Sequence, residues 1–280
     1  MKIIRSIKEM VKFSQDNRRK AKSIGFVPTM GALHQGHLSL IRQARKENDI
    51  VVVSIFVNPA QFSPGEDFRQ YPRDLKRDAG LCRQEGVDYI FYPDAGQMYP
   101  AGYRTYVTVD KLSDVLCGKS RPGHFKGVAT VVTKLFNIVN PDAAYFGQKD
   151  AQQAIIIKKM AQDLNIPAKI KIMPTVREKD GLAMSSRNVY LNKLERKEAV
   201  VLYRALDLAR RIFKKGNRNP SLIIRKMKKL IEEKKTAKVQ YIAIVDLENL
   251  KPVNIIKNKT LIAMAVWFGR TRLIDNIILN

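Results

Sequence analysis

Apolar positions along the chain follow two patterns: short apolar runs of strand length, and longer stretches in which apolar residues recur three or four positions apart. The first pattern predicts strands and the second predicts amphipathic helices. The predicted strands are SIGFVPT (23–29), DIVVVSIFVN (49–58), VDYIFYP (87–93), PDAAYFG (141–147) and AKIKIMPTVRE (168–178). The predicted helices between them are HLSLIRQARKEN (37–48), DLKRDAGLCRQEG (74–86), GVATVVTKLFNIVN (127–140) and KDAQQAIIIKKMAQDLN (149–165).

This alternation of strands and helices predicts an α/β fold with a doubly wound parallel sheet. The Val/Ile runs are continuous rather than alternating, which is typical of parallel strands covered by helices on both faces. After residue 176 the pattern changes to a loop, two lysine-rich helices and two strand-like segments, 240–253 and 259–276. We therefore expect a first domain over residues 1–176 and a smaller α+β domain over residues 177–280.

Composition narrows the class of protein. The chain has 280 residues, of which 45% are hydrophobic, so it can bury a substantial core. Its first twenty residues mix charged and apolar positions, and no apolar run reaches membrane-spanning length, so we expect a cytoplasmic protein. Cys82 and Cys117 lack metal-ligand or redox spacing, which favours two small buried side chains over a disulfide or a zinc site.

The net charge of +25 permits a nucleic-acid partner, an anionic substrate or simply a lysine-rich surface. Much of the excess lies in helical stretches such as RIFKKGNRNPSLIIRKMKKLIEEKKTAK (211–238), where a solvated helix face is the simpler interpretation. Its basic residues are not interleaved with aromatic ones, which argues against a stacking surface for single-stranded nucleic acid.

The segment VPTMGALHQGH (27–37) is the first candidate for chemistry. Met30 to Gly36 would form the loop after a strand and His37 would begin the next helix, at the sheet edge where anions bind helix N-termini. No lysine-containing phosphate loop or dinucleotide fingerprint is present. His34 and His37 would both offer N–H donors to one phosphate. A capping loop with incidental histidines and a zinc site, for which no third ligand has a recognisable spacing, are the alternatives.

The segment GLAMSSRN (181–188) offers two hydroxyls and a guanidinium, a combination that suits β- and γ-phosphates. His34, Gly36 and His37 form an H-x-G-H pattern. This pattern and the segment GLAMSSRN together resemble the paired motifs of the nucleotidylyltransferase superfamily. Further segments, in the same order along the chain, resemble the pantothenate synthetase (pantoate–β-alanine ligase) family. These segments are VVVSIFVNPAQF, YPRD, RPGHFKGVATVV, YFGQKDAQQ, PTVREKDGLAMSSRN and RLIDN.

The resemblance implies an enzyme of pantothenate and coenzyme A biosynthesis: an ATP-dependent ligase that condenses (R)-pantoate with β-alanine through a pantoyl-adenylate, releasing AMP and pyrophosphate. It implies a Rossmann-like first domain, a C-terminal domain that covers the ATP site, Mg²⁺ as cofactor and a homodimer, with no membrane and no nucleic-acid partner. Another adenylyltransferase, a tRNA-binding relative of the class I synthetases and a non-catalytic nucleic-acid-binding module are the competing hypotheses.

The same resemblance implies roles for individual residues. Catalysis is assigned to His37, His34 and Lys149. ATP binding is assigned to Met30, Gly31, Ala32, Leu33, His34, Gln35, Gly36, His37, Gly147, Gln148, Lys149, Asp150, Val176, Met184, Ser185, Ser186 and Arg187. Gln61 would bind pantoate and β-alanine, Gln153 would bind pantoate, and Asn58 would support Gln61.

Two features remain open in the sequence. The protein ligands of Mg²⁺ are undetermined, although Asp74 and Asp78 would be within reach of the metal. The segment SPGEDFRQYPRD (63–74) has the Gly, Pro and charge content of a mobile cover that keeps water from an acyl-adenylate.

Overall fold

Two compact units make up the chain in the computed structural model, which describes residues 1–257 and 259–279. The first unit comprises residues 1–114, 118–147 and 152–174. The second comprises residues 115–117, 148–151 and those from 175 onward. Each unit has a hydrophobic core of its own.

The first unit is built on a six-stranded sheet with helices before and after its strands. Its strands are β1 (Lys2–Ile4), β2 (Ile24–Thr29), β3 (Ile50–Ile55), β4 (Tyr89–Phe91), β5 (Ala143–Gly147) and β6 (Lys169–Met173). The helices of this part of the chain are α1 (Ile7–Arg19), α2 (Gln35–Glu47), α3 (Leu75–Gln84), α4 (Ala95–Met98), α5 (Cys117–Ser120), α6 (His124–Val139) and α7 (Ala151–Asp163). Short 3₁₀ helices cover Pro59–Gln61 and Gln148–Asp150.

The sheet confirms the predicted doubly wound parallel architecture. Its order is β1-β4-β3-β2-β5-β6, and all five neighbouring pairs are parallel. Every residue of β3 is buried, as its continuous apolar sequence predicts. From β2 the chain continues to β3 on one side and later to β5 on the other, so the strand order reverses between β2 and β5. The carboxyl ends of these two strands therefore form the crevice in which such sheets bind ligands.

Two features of the N-terminal region differ from the sequence expectation. The structure adds β1 and α1 within the first twenty residues, where the sequence pattern predicts neither a strand nor a helix. In addition, α2 begins at Gln35 rather than at His37, and His34 is its N-cap residue. Both histidines therefore belong to the start of the helix instead of one lying in the preceding loop.

The second unit pairs a three-stranded antiparallel sheet with helices. Its sheet has the order β7 (Ala237–Asp246), β8 (Thr260–Phe268) and β9 (Thr271–Leu279). Its helices are α8 (Lys193–Ala199), α9 (Val201–Lys214) and α10 (Pro220–Glu232), and Ser186–Tyr190 forms a 3₁₀ helix. In α10 the buried residues Ile223, Met227 and Ile231 recur every fourth position, whereas its basic residues are exposed. The lysine-rich stretch is thus a solvated helix face.

The two cysteines are both buried, in agreement with the sequence interpretation. Burial raises the pKa of the Cys82 thiol to about 12. The Cys117 sulfur lies 3.0 Å from the Tyr241 hydroxyl. Across residues 1–257 and 259–279, neither cysteine forms a disulfide.

A close backbone approach within the first unit joins α6 to the 3₁₀ helix Pro59–Gln61. A Cβ atom placed on Gly127 would lie 2.1 Å from the carbonyl oxygen of Ala60 and 2.6 Å from the nitrogen of Gln61. No side chain fits in that space, so glycine is required at this position of the helix. The contact fixes the distance between the segment 58–61 and α6.

We expect Gly127→Ala to lower the free energy of unfolding by roughly 1–3 kcal/mol, because the new methyl group overlaps main-chain atoms. Gly80→Ala, inside α3, is the matched control: its Cβ would meet no atom within 4 Å. That change should raise stability by about 0.5–1 kcal/mol through helix propensity. Urea unfolding monitored by circular dichroism measures both, and an equal response of the two variants would contradict the close approach.

Candidate active site

The loop after β2 turns sharply because two successive residues adopt left-handed backbone conformations. Gly31 has φ +82° and Ala32 has φ +51°, which is uncommon for a residue with a side chain. Thr29 supports the turn, since its hydroxyl donates to the carbonyl of Ser54 at 2.7 Å and accepts from the N–H of Gly31 at 3.1 Å. The loop is therefore tied to the neighbouring strand β3.

Asp78 holds the same loop from α3. Its two carboxylate oxygens accept the N–H groups of Ala32 at 2.8 Å and Leu33 at 2.9 Å. The side chain is 1% exposed, and burial raises its pKa, while the two main-chain donors oppose that shift. Asp78 thus stabilises the loop, and Asp74 caps α3 by accepting the N–H of Arg77 at 2.9 Å. The sequence did not reveal this role of Asp78, because Asp78 and Ala32 lie 46 positions apart.

His34 and His37 close the N-terminus of α2 with their rings side by side, 4.1 Å between centroids. The Nδ1 atom of His34 accepts the N–H of Gly36 at 3.1 Å, and the Nδ1 atom of His37 accepts the N–H of His34 at 3.3 Å. A main-chain N–H can only donate, so both Nδ1 atoms act as acceptors. The proton of each neutral ring consequently lies on Nε2, and each ring is a donor at that atom.

Asn58 and Gln61 lie side by side in the segment after β3, where both amides are buried. Asn58 is 1% exposed and Gln61 is 8% exposed. The Nδ2 of Asn58 donates to the Oε1 of Gln61 at 3.0 Å, and the Nε2 of Gln61 lies 3.2 Å from the sulfur of Met30. The structure thus brings Met30, Asn58 and Gln61 together, as their shared assignment to one site predicts. Their roles stay predictions.

A second group of side chains holds Gln61 through its main chain. Arg121 donates to both carboxylate oxygens of Glu66 at 2.6 Å and to the Nε2 of His124 at 3.0 Å. Since arginine can only donate, Nε2 accepts and the Nδ1–H of His124 donates to the carbonyl of Gln61 at 2.8 Å. The motif RPGHF contains Arg121 and His124, and Glu66 lies in the segment 63–74, but no spacing pattern connects them to Gln61. Glu66 also anchors the segment 63–74 that was expected to be a mobile cover.

The remaining candidates of the first unit lie at the ends of elements. Gly147 ends β5, and Gln153 is half-buried in the first turn of α7. In the described ranges, no hydrogen bond joins Gln153 to Gln61. Their joint contact with pantoate stays a prediction.

In the second unit, Asn276 fixes the segment Gln148–Asp150. Its Nδ2 donates to the carbonyl oxygens of Gln148 and Lys149, each at 2.9 Å. Lys149 lies 3.5 Å from Asp150, and its side chain is only 20% exposed. Lys149 is therefore not a freely solvated surface lysine.

The candidates in and beside the segment GLAMSSRN (181–188) also lie together in the second unit. The N–H of Met184 donates to the carbonyl of Val176 at 3.0 Å, and the hydroxyl of Ser185 accepts the N–H of Arg187 at 3.3 Å. Beside them, Arg177 donates to both oxygens of the fully buried Asp275 at 2.6 and 2.9 Å. The segment RLIDN contains Asp275 and Asn276, but no sequence pattern indicates these structural roles.

Comparison with known proteins identifies the family. The family model described as pantoate-beta-alanine ligase matches residues 2–278. The chain belongs to the pantoate–β-alanine ligase family. It is therefore a ligase, as the sequence predicts, and the nucleic-acid-binding hypothesis without catalysis is wrong.

Curated relatives of the pantoate–β-alanine ligase family agree over the full length. The pantothenate synthetase of Caldicellulosiruptor bescii is 55% identical over 280 residues, which cover 100% of this chain and 99% of the relative. That of Thermotoga petrophila is 56% identical and both chains are covered completely.

Solved structures of the pantoate–β-alanine ligase family share the fold. Pantothenate synthetase from Thermus thermophilus superimposes with a TM-score of 0.93 at 44% identity, covering 99% of both chains. The pantoate–β-alanine ligase of Francisella tularensis, complexed with β,γ ATP and β-alanine, has a TM-score of 0.83 at 38% identity and covers 99% of this chain and 97% of its own. The predicted Rossmann-like class is thereby confirmed.

Over the part of the chain that the structure describes, no helix is both long and apolar enough to cross a bilayer.

We expect Asp78→Ala to leave two buried N–H groups without an acceptor, which costs about 1–3 kcal/mol for each group. Amide hydrogen exchange at Ala32 and Leu33 should accelerate roughly tenfold or more, since a free-energy change of about 1.4 kcal/mol corresponds to a factor of ten. Asp74→Ala removes a neighbouring aspartate carboxylate, that of the α3 N-cap, and serves as the control. Exchange at Ala32 and Leu33 that responds equally to both changes would show that Asp78 has no special role in the loop.

Proposed function

We propose that this ligase forms pantothenate in two steps in one site: ATP adenylates the carboxylate of pantoate, and the amine of β-alanine then attacks the acyl carbon. The observation that carries the proposal is the histidine pair at the start of α2, in which both Nδ1 atoms accept main-chain N–H groups. Two Nε2–H donors at the positive end of a helix suit the charge that develops on an α-phosphate.

ATP and β-alanine enter the proposal by analogy as well as by chemistry. The structure of the Francisella tularensis enzyme was determined with β,γ ATP and β-alanine, and that chain is 38% identical to this one. We assign the segment from Met30 to Gly36, which comprises the loop after β2 and the start of α2, to the adenosine and α-phosphate, with His34 and His37 as the donors. Its left-handed turn at Gly31 and Ala32 brings main-chain atoms close to the carboxyl end of β2.

Further groups would bind the departing pyrophosphate and the nucleoside. Lys149, Ser186 and Arg187 would bind phosphate oxygens, since cations and hydroxyls are suited to them. Asp150 would bind the ribose hydroxyls. Val176 would contact adenine through its main chain, with Gly147, Gln148, Met184 and Ser185 completing the ATP contacts.

Pantoate and β-alanine are assigned to the amides of the first unit. Gln61 would bind both substrates and Gln153 the hydroxyl and carboxylate of pantoate, because an amide can donate and accept. Asn58 supports Gln61 through the 3.0 Å hydrogen bond between their side chains. The burial of both amides favours a substrate that makes defined hydrogen bonds, because an unpaired polar group there is costly.

Magnesium fits this proposal as a partner of the ATP phosphates. Mg²⁺ keeps several waters and binds through one or two carboxylates together with substrate phosphates, so it needs no dedicated protein cage. The described residues contain no group of three or more His, Cys, Asp and Glu side chains arranged for a metal. Bound Mg²⁺ would neutralise charge on the leaving pyrophosphate. Lys149 and Arg187 would orient the same phosphates.

His37 should act mainly on the adenylation transition state, so His37→Ala is expected to lower kcat by roughly 10²- to 10³-fold with a much smaller change in the KM for ATP. Two further variants separate its donor from its capping role. His37→Gln keeps a donor near the Nε2 position, whereas His37→Asn keeps an acceptor near Nδ1 for the His34 N–H. Steady-state kinetics should rank Gln above Asn, and the reverse order would show that capping alone explains the effect.

The two-step route is tested by pyrophosphate exchange. In the absence of β-alanine, the enzyme should exchange labelled pyrophosphate into ATP only when pantoate is present, because the first step is reversible and does not require the amine. Pantoate labelled with oxygen-18 in its carboxylate should give AMP carrying one heavy oxygen. Exchange that requires β-alanine, or AMP without label, would exclude the adenylate while leaving the ligase activity intact.

The homodimer stays a prediction of the family resemblance, and the cytoplasmic location stays a prediction from the N-terminal sequence and the lack of long apolar runs. Light scattering at several protein concentrations measures the first, and fractionation of the source cells measures the second.

A further inference from the structure

The side-chain amide of Asn58 has one orientation, set by main-chain groups on its two sides. The N–H of Ala60 donates to Oδ1 at 3.3 Å, and Nδ2 donates to the carbonyl oxygen of Gly127 at 3.1 Å. A main-chain N–H cannot accept and a carbonyl cannot donate, so the oxygen and nitrogen of this amide are distinguished without ambiguity.

This orientation determines the direction of the two neighbouring hydrogen bonds. Tyr99 lies 2.8 Å from Oδ1 of Asn58, so its hydroxyl must be the donor. Nδ2 of Asn58 lies 3.0 Å from Gln61, so the atom of Gln61 that faces it must be the acceptor Oε1. The Nε2 of Gln61 is consequently turned away from Asn58, toward the sulfur of Met30 at 3.2 Å. A thioether sulfur is a weak acceptor, so it satisfies this N–H group poorly.

Tyr99 is held in place by aromatic neighbours. Its ring packs edge-on against Tyr103 at 5.0 Å and lies 6.5 Å from Phe56. Burial raises the pKa of Tyr99, so its hydroxyl keeps its proton throughout the range in which enzymes are assayed. The hydroxyl is therefore a permanent donor to Asn58.

We propose that Tyr99 is a positioning residue of the pantoate site: its hydroxyl holds Asn58 in place, and Asn58 in turn holds Oε1 of Gln61, so that the Nε2–H group of Gln61 is presented to the substrate. Gln61 then serves pantoate as a hydrogen-bond donor and selects an oxygen acceptor, such as a carboxylate, at that point. The inference rests on the proposed role of Gln61 in binding pantoate. It adds to that role the direction of the bond and the residue that holds Asn58 in place.

Tyr99→Phe removes the hydroxyl and keeps the ring. We expect the KM for pantoate to rise roughly 3- to 10-fold, the size of one lost hydrogen bond, while the KM for ATP stays within about twofold. Tyr103→Phe is the matched control, since it removes a hydroxyl from the adjacent ring of the same aromatic cluster. It should leave both KM values unchanged. A Tyr99→Phe enzyme with wild-type KM for pantoate would overturn the proposal.

A double-mutant cycle shows whether Tyr99 acts through Gln61. Tyr99→Phe should add little to the increase in pantoate KM that Gln61→Ala produces, because the group it positions is already gone. Additive effects would mean that Tyr99 acts on another part of the site. Thermal unfolding of each variant separates a loss of fold from a loss of positioning.

Gln61→Glu tests the direction of the hydrogen bond directly. Glutamate still accepts from Asn58 but presents a carboxylate oxygen instead of N–H, so the KM for pantoate should rise at least as much as in Gln61→Ala. Retained pantoate binding would refute the donor assignment. If Gln61→Ala itself leaves pantoate binding unchanged, the proposed role of Gln61 fails. If Gln61→Ala weakens binding and Tyr99→Phe does not, only the role of Tyr99 fails.

Discussion

The main-chain N–H groups of Ala32 and Leu33 lie inside the protein, where each needs an acceptor, and the Asp78 carboxylate meets both. The left-handed turn at Gly31 and Ala32 persists because these bonds offset its conformational cost. This turn determines the residue at which α2 begins. It therefore also determines the direction in which the rings of His34 and His37 point. A carboxylate that contacts neither histidine thus determines the position of both.

Main-chain groups impose a direction on the polar side chains of the first unit. In the helix start, N–H groups turn both imidazoles into Nδ1 acceptors. Around Asn58, one N–H and one carbonyl orient an amide, and that amide orients the next. The close approach at Gly127 makes the second case possible, since a side chain there would displace the segment that carries Asn58 and Gln61. Main-chain hydrogen bonds therefore determine the orientation of these side chains.

The sequence predicted the parallel strands because β2 to β5 are apolar runs whose period differs from that of the helices between them. The residue types of the histidine segment indicated donors for a phosphate, whereas the roles of the amide residues followed only from the family resemblance. The sequence pattern placed the start of α2 two residues late, since histidine is not a usual N-cap residue. The roles of Asp78, Tyr99 and Asn276 were not predictable, because their partners lie 46, 41 and 127 or more positions away and no periodicity connects them.

Asp275 and Asn276 are neighbours on β9, and successive residues of a strand project to opposite faces. One reaches Arg177 and the other reaches the carbonyls of Gln148 and Lys149, so a single dipeptide holds two separate segments. The register of β9 against β8 is set by the tight hairpin between Phe268 and Thr271. Inserting or deleting one residue in that hairpin would exchange the two faces and disconnect both segments at once. The hairpin length is therefore under structural constraint, and we expect insertions and deletions in this family to be rarer there than its surface position would indicate.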